Sequence, residues 1–296
     1  MRQILRLAMA AAWIFLVALS GPASATIIGP FNEEPTKFGT LNQADTNCPN
    51  VNCGATAAIE SFVYLQTVFS TVYTTPLVPK AGAGPIPTAA EQAAVANDVA
   101  TNFMKNCCAN SAAGTLIEDF ILGKRDYLES KDPGKTVFNA QINFAWRTNP
   151  AGGTHPGTAK PAFVQDNTIP TLAFIANELS RGEDVEVFMF NSNGGCNGPA
   201  AADQSCNHYI TLTGITYNDA NNTGTFSFVD PLGGGRDTKN ITGLTGGFIQ
   251  TDYKLGGVNT LIVHAVSESP IPEPSTVLLL GAGLAALAFT KRKRVG

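Results

Sequence analysis

Three short fragments carry residue types that could act together in nucleophilic catalysis. Cys53 begins a predicted helix within Asn-Cys-Gly-Ala-Thr, His208 opens a predicted strand, and Asp230 closes the next one. A thiol at a helix N-terminus lies at the positive end of the helix dipole, which lowers a thiol pKa. A histidine can take the proton of such a thiol, and a carboxylate can orient the histidine. The three residues therefore predict a Cys-His-Asp site.

Each fragment, taken alone, also has an ordinary structural explanation. Cys53 could form a disulfide with Cys48, and His208 could be a core or loop histidine. Asp230 followed by Pro231 is a common way to begin a turn. The catalytic interpretation depends on the joint order of the fragments. The separation of about 155 residues between the cysteine and the histidine is also comparable to that in papain-like enzymes.

In this order the fragments resemble the C39-like branch of papain-fold cysteine peptidases. The resemblance runs, with gaps, from roughly Leu41 to Pro231. It implies that Cys53 is the nucleophile, His208 the general base and acid, and Asp230 the orienting residue. It also implies a peptide or protein substrate.

The resemblance further implies an oxyanion hole, in which a glutamine upstream of the cysteine acts with the cysteine backbone N–H. Gln43 is the candidate, although it lies farther from Cys53 than is usual in that family. Asn47 lies nearer to the expected spacing and could replace it. Both residues therefore remain candidates at this point.

The elements that must position these residues are segregated along the chain, with helices first and strands later. This segregation predicts an α+β domain. The resemblance implies a papain-like cysteine peptidase fold, with a helical N-terminal half and an antiparallel sheet in the C-terminal half. One predicted helix begins at Cys53, and three others cover residues 88–105, 111–122 and 171–181. The predicted strands cover residues 185–190, 208–217, 225–229, 248–254 and 260–266.

The N-terminus has the pattern of a secretory signal peptide. Arg2 and Arg6 precede an apolar core, and Ala23-Ser24-Ala25 forms a small-residue cleavage site. We therefore expect signal peptidase to remove residues 1–25. The chain would then be exported to an oxidising compartment.

The C-terminal residues have three parts with different physical roles. A proline-rich segment is followed by the apolar run Val277–Phe289 and the basic cluster Lys291–Arg294. The apolar run could form a short transmembrane helix, and the basic cluster would stay on the cytoplasmic side. With Pro272-Glu273-Pro274 ahead of the helix, this order resembles the PEP-CTERM sorting tail of Gram-negative bacteria. A permanent anchor is the alternative, but about 15 residues fall short of the ~20 that usually span a bilayer.

These patterns divide the chain into a signal peptide (1–25), a C39-like domain (26–269) and a sorting tail (270–296). The resemblance of the tail implies transient anchoring in the inner membrane and cleavage by an exosortase. The final location would be the periplasm, the outer surface or the extracellular matrix. Six of the 19 basic residues lie in the two terminal segments, so the domain is more acidic than the net charge of −4 suggests. An acidic exported domain does not favour nucleic acid.

Six cysteines in an exported chain predict disulfides. Cys196 with Cys206 is the preferred pair, and Cys48 with Cys107 or Cys108 is a second possibility. No metal site and no cofactor are expected, because the chain has no CxxC pair and its three histidines are scattered.

Two other functions fit the same sequence. Low charge and abundant Asn, Thr and Gly suit a non-catalytic surface or exopolysaccharide-matrix protein that is structural or binds a partner. An acyl or amide transferase could use the same three residues. A free, reactive thiol at Cys53 distinguishes both enzymes from the structural protein.

Overall fold

The computed structural model describes residues 26–49, 51–104, 115–148, 155, 157–192 and 207–271. Within these ranges the chain forms four α-helices and nine β-strands. The helices are α1 (Cys53–Val68), α2 (Ala89–Asp98), α3 (Ile117–Lys131) and α4 (Leu172–Ser180). The strands are β1 (Ile27–Asn32), β2 (Thr136–Ile142), β3 (Val164–Gln165), β4 (Asp184–Asn191), β5 (Asn207–Asn218), β6 (Thr223–Asp230), β7 (Gly235–Thr245), β8 (Phe248–Leu255) and β9 (Val258–Pro270).

Six of these strands close into an antiparallel barrel. The pairings run from β5 through β6, β7, β8 and β9 to β4, which pairs again with β5. The ring closes because β5 and β9, with 12 and 13 residues, are long enough to pair with different neighbours along their length. The first half of β5 pairs with β4 and its second half with β1, while β9 passes from β8 to β2.

This architecture corrects the predicted fold class. The expectation of an α+β papain-like fold, with a helical N-terminal half and a separate C-terminal sheet, is wrong. The described chain is mostly sheet: a six-stranded barrel with three further strands and four short helices. The prediction failed because it did not recognise β1 or β7. In addition, the closure of a sheet depends on pairings between distant strands, which local periodicity does not show.

Individual elements agree better with the sequence patterns than the fold class does. The helix predicted to begin at Cys53 is α1, and the predicted strands after residue 184 correspond to β4, β5, β6, β8 and β9. Helix α2 begins with a capping box, in which the Thr88 side chain accepts from Glu91 N and the Glu91 carboxylate accepts from Thr88 N. The helix predicted at 111–122 lies later, as α3.

Two apolar clusters hold the fold together. One fills the barrel and the space under α4, with Val187, Leu212 and Phe228 among its fully buried members. The other lies between α1, α2, α3 and the outer face of the sheet, where Phe62 and Tyr127 stack with ring centroids 5.0 Å apart. Helix α1 is buried along most of its length, so its N-terminus is fixed against the sheet.

Candidate functional site

Cys53 is the first residue of α1 and carries a free thiol. Its side chain is buried, with 8% of the residue surface exposed. Cys48 is disulfide-bonded, and Cys53 is not its partner. The alternative in which Cys48 and Cys53 form a disulfide is therefore wrong. The predicted pairings of Cys48 and Cys196 involve cysteines that lie outside the described ranges.

The positive end of the α1 dipole lies at the Cys53 thiol, and no side chain at the start of the helix neutralises it. The first turn contains no acidic residue, and the Asn52 side chain makes no capping hydrogen bond. Asn52 thus occupies the N-cap position, but its side chain does not cap the helix. Gly54 allows a close approach at this point, since a Cβ there would lie 2.8 Å from Thr115 Oγ1. A larger residue after Cys53 would push the chain before α3 away from the site.

His208 and Asp230 meet where β5 begins and β6 ends. Their strands are antiparallel neighbours, and His208 Nε2 lies 2.7 Å from Asp230 Oδ1. Asp230 Oδ1 also accepts the backbone N–H of Leu232 at 2.8 Å, which fixes the carboxylate. His208 is completely buried, whereas 15% of the Asp230 side chain is exposed. The predicted histidine and aspartate are therefore in direct contact.

Cys53 lies close enough to His208 to affect its protonation. Burial lowers the pKa of His208, but the hydrogen bond with Asp230 and the interaction with Cys53 outweigh burial and raise this pKa to about 9. Nε2 is bound to Asp230, so Nδ1 is the ring nitrogen left for the thiol. Nδ1 is buried and forms no hydrogen bond with any of the described residues. A protonated imidazole stabilises a neighbouring thiolate, as nucleophilic catalysis requires.

Helix α1 and strand β5 are tied together directly behind the site. Thr211 Oγ1 donates to Ala57 O at 3.0 Å and also lies 3.3 Å from Glu60 Oε2. Burial, followed by the charge of Asp230, raises the pKa of Glu60 well above its usual value. A neutral Glu60 can therefore remain buried next to the candidate site. These contacts hold the cysteine-bearing helix at a fixed distance from the histidine-bearing strand.

Tyr253 on β8 is a component of the site that the sequence did not reveal. Its hydroxyl donates to Asp230 Oδ2 at 2.9 Å. Its ring is nearly parallel to the His208 imidazole, with centroids 6.2 Å apart and an interplanar angle of 12°. Both oxygens of Asp230 thus have donors. No local pattern in β8 distinguishes this tyrosine, because its partner lies on another strand.

The two oxyanion-hole candidates differ in position. Gln43 is buried; its backbone N–H donates to Pro231 O at 2.9 Å and its Nε2 to Pro49 O at 2.8 Å. It is thereby bonded to the residue after Asp230 and to a residue just upstream of Cys53. Asn47 is exposed, and its backbone N–H bonds the Asn97 side chain. The packing favours Gln43 as the candidate.

The tail supplies the decisive similarity to known proteins. Residues 270–293 match the PEP-CTERM protein-sorting motif. The motif implies export in a Gram-negative bacterium and processing by an exosortase. The match covers only residues 270–293, and no family match supports the C39-like resemblance. No curated protein matches the chain.

The PEP-CTERM motif begins inside the folded domain. Pro270 is the last residue of β9 and pairs with Thr136 of β2, and Ile271 N donates to Lys135 O at 2.8 Å. The predicted transmembrane helix of the tail, like the predicted signal peptide, lies outside the described residues. Across the part of the chain that the structure describes, no helix is long and apolar enough to cross a membrane.

A second charged cluster lies away from the Cys53 site. Lys124 of α3 contacts Glu186 and Glu268 directly, and its Nζ lies 3.6 Å from Asp184 Oδ2. All four side chains are completely buried. The carboxylate oxygens lie within 4.8 Å of one another, a spacing that could hold a metal ion. The Lys124 ammonium already contacts these carboxylates, so the cluster has its own cation.

The remaining histidines have defined surroundings. His155, for which the sequence showed no partner, has Nδ1 2.9 Å from Asp119 Oδ1. His264 of β9 is buried between Phe188 and Phe144, with ring centroids 5.4 and 5.0 Å away. Burial lowers the pKa of His264 to about 3, so it is neutral at physiological pH.

Proposed function

We propose that this protein is an exported, exosortase-sorted cysteine peptidase that cleaves amide bonds with Cys53, His208 and Asp230. The observation that carries the proposal is a single chain of contacts. A free thiol at an uncapped helix N-terminus interacts with His208, whose Nε2 is bonded to Asp230 at 2.7 Å. The proposal rests on these side chains and not on the fold, which is not papain-like.

Each residue has one role in the proposed reaction. The Cys53 thiolate attacks the carbonyl carbon of an amide and forms a C–S bond. The His208 imidazolium gives its proton to the amine nitrogen as the C–N bond breaks, and the acyl group remains on Cys53 as a thioester. His208 next takes a proton from water, and the resulting hydroxide attacks the thioester; the C–S bond breaks, which releases the acid and returns the Cys53 thiolate. Asp230 holds the imidazole in one orientation throughout.

The oxyanion would be stabilised by the Cys53 backbone N–H and Gln43 Nε2. The amide of Gln43 has two N–H groups, and Pro49 O accepts only one of them. The second can therefore donate to an oxyanion. The thiol and imidazole supply both the nucleophile and the acid–base group, so the proposed reaction needs no cofactor.

The substrate is proposed to be a peptide or protein outside the inner membrane. Two features support this location: the match to the PEP-CTERM motif and the disulfide at Cys48, which is typical of oxidising compartments. After transient anchoring, the domain would act in the periplasm, at the outer surface or in the extracellular matrix.

The test is hydrolysis of an unfolded protein substrate by the exported chain, followed by mass spectrometry of the products. Cys53→Ala should remove cleavage, whereas Asp237→Asn, on the exposed strand β7, should cleave like the wild type. Equal cleavage by wild type and Cys53→Ala would contradict the proposal and support the non-catalytic surface or matrix protein. Transfer of the acyl group to an added amine, with little hydrolysis, would instead support the transferase.

A further inference from the structure

A pocket of about 480 Å³ lies where the sorting motif leaves the folded domain. Phe69, Val137, Arg181, Glu183, Pro270 and Ile271 line it. Pro270 and Ile271 are also the first two residues that match the PEP-CTERM motif. We call the surface formed by these six residues, together with Val68, which precedes Phe69 in the chain, the tail-root surface.

The tail-root surface concentrates exposed apolar side chains. Val137 is 46% exposed and Ile271 is 39% exposed. Val68, the last residue of α1 and the neighbour of Phe69, is 41% exposed. Single exposed apolar residues are common in proteins, but a group at one place marks an interaction surface. The other exposed large hydrophobic residues of the described chain, Ile27 and Leu244, lie on β1 and β7.

A polar border surrounds this apolar centre. The Arg181 guanidinium bridges Glu178 at 2.6 Å and Glu183 at 3.0 Å. Burial and the adjacent Glu178 raise the pKa of Glu183 to about 8, so this carboxyl is largely neutral near pH 7. An apolar centre with a polar rim is the usual arrangement of a protein–protein interface.

The position of the motif identifies the partner. Because Pro270 is still paired within the sheet, only Ile271 separates the folded domain from Pro272-Glu273-Pro274. Glu273, in the middle of this motif, is only two residues beyond Ile271, and two residues extend a chain by at most about 7 Å. An enzyme that encloses this segment for cleavage must therefore approach the tail-root surface.

We propose that the tail-root surface is the docking site of the exosortase that processes the PEP-CTERM tail. The apolar pocket receives side chains of the enzyme while its active site engages the segment after Ile271. Sorting would then depend on the folded domain as well as on the motif. This inference does not depend on the peptidase activity proposed for Cys53.

The test compares two opposite charges placed at the same position. Val137→Glu and Val137→Lys are made in the full chain, and the fraction of tail-processed protein is measured by mass spectrometry in an exosortase-containing host. Leu244→Glu and Leu244→Lys are the matched controls, because Leu244 is 49% exposed on a different strand. Val68→Lys tests a second position on the tail-root surface, and urea unfolding verifies that each variant is folded.

Docking of a protein predicts that both charges at Val137 lower processing several-fold, that Val68→Lys also lowers it, and that the Leu244 variants do not. Processing of both Val137 variants at the control level would overturn the proposal. A loss with Val137→Glu but not with Val137→Lys would also overturn it, because an anionic lipid surface repels the glutamate and tolerates the lysine.

Discussion

The Cys53 site and the Lys124 cluster both bury charged groups against the sheet, but they satisfy these groups differently. At the site, Asp230 Oδ1 accepts from His208 and Leu232 N, and Oδ2 accepts from Tyr253. In the cluster, the Lys124 ammonium is the shared ion-pair partner of three carboxylates. Within the described ranges, one oxygen of each of these acids lacks a hydrogen-bond partner, namely Asp184 Oδ1, Glu186 Oε2 and Glu268 Oε1.

The Cys53 site and the Lys124 cluster also differ in which pKa values they shift. The site raises the pKa of His208 to about 9 and thereby favours an imidazolium beside a thiol. In the cluster, burial raises the pKa of Glu186 to about 7 and that of Glu268 well above its usual value, although the Lys124 charge lowers both. The cluster is fully sealed, whereas Cys53 and Asp230 keep some exposure. Buried charge alone therefore does not identify a chemical site; a substrate must also reach it.

The largest effect is expected from breaking the cluster. Lys124→Met should lower the free energy of unfolding by about 3–5 kcal/mol, because it leaves three buried carboxyl groups without a cation. Urea unfolding measures this change. Lys254→Met, at an exposed position of β8, is the control and should shift stability by less than about 0.5 kcal/mol. Similar curves for both variants would show that the cluster does not depend on its lysine.

A smaller effect is expected from Asp230→Asn, which removes the charged partner of His208. The pKa of His208 should fall from about 9 toward its usual ~6.5, as measured by NMR titration of the imidazole. Because folding raises this pKa, His208 stabilises the protein below its unfolded pKa of ~6.5, and the contribution is lost as the pH rises through about 9. Asp230→Asn should flatten this part of the stability–pH curve. Asp237→Asn is the control; an unchanged His208 pKa in Asp230→Asn would contradict the assigned contact.

The smallest effect is expected from Tyr253→Phe, which removes one donor to Asp230. The lost hydrogen bond corresponds to about 1 kcal/mol, and Cys53 alkylation at neutral pH should slow several-fold because Oδ2 of Asp230 loses its donor. Tyr217→Phe is a matched control, because Tyr217 is also 7% exposed. Equal alkylation rates in the two variants would show that Tyr253 only fills space.

The fold class predicted from the sequence is wrong, whereas the expected proximity of His208 and Asp230 is present in the structure. Cys53, His208 and Asp230 could be recognised as candidates because each lies at the end of an element with a clear apolar pattern. Strand β7 could not, because most of its residues are exposed and it lacks alternating apolar residues; its pairing with β6 and β8 fixes its conformation. The closed barrel depends on β4 joining β5 to β9 across distant parts of the chain. Tyr253 could not be predicted for the same reason, because only the tertiary contact of its hydroxyl with Asp230 connects it to the site.

The most direct test of the central claim is the alkylation rate of Cys53 as a function of pH, with thiol mapping by mass spectrometry on the non-reduced exported protein. The account predicts that Cys53 is a free thiol. It also predicts that wild-type Cys53 reacts rapidly at neutral pH and that His208→Ala slows this reaction at least tenfold. As the pH rises above about 9, where His208 loses its proton, the difference should disappear. A Cys53 found in a disulfide, or one that reacts equally fast in both proteins at neutral pH, would contradict the account.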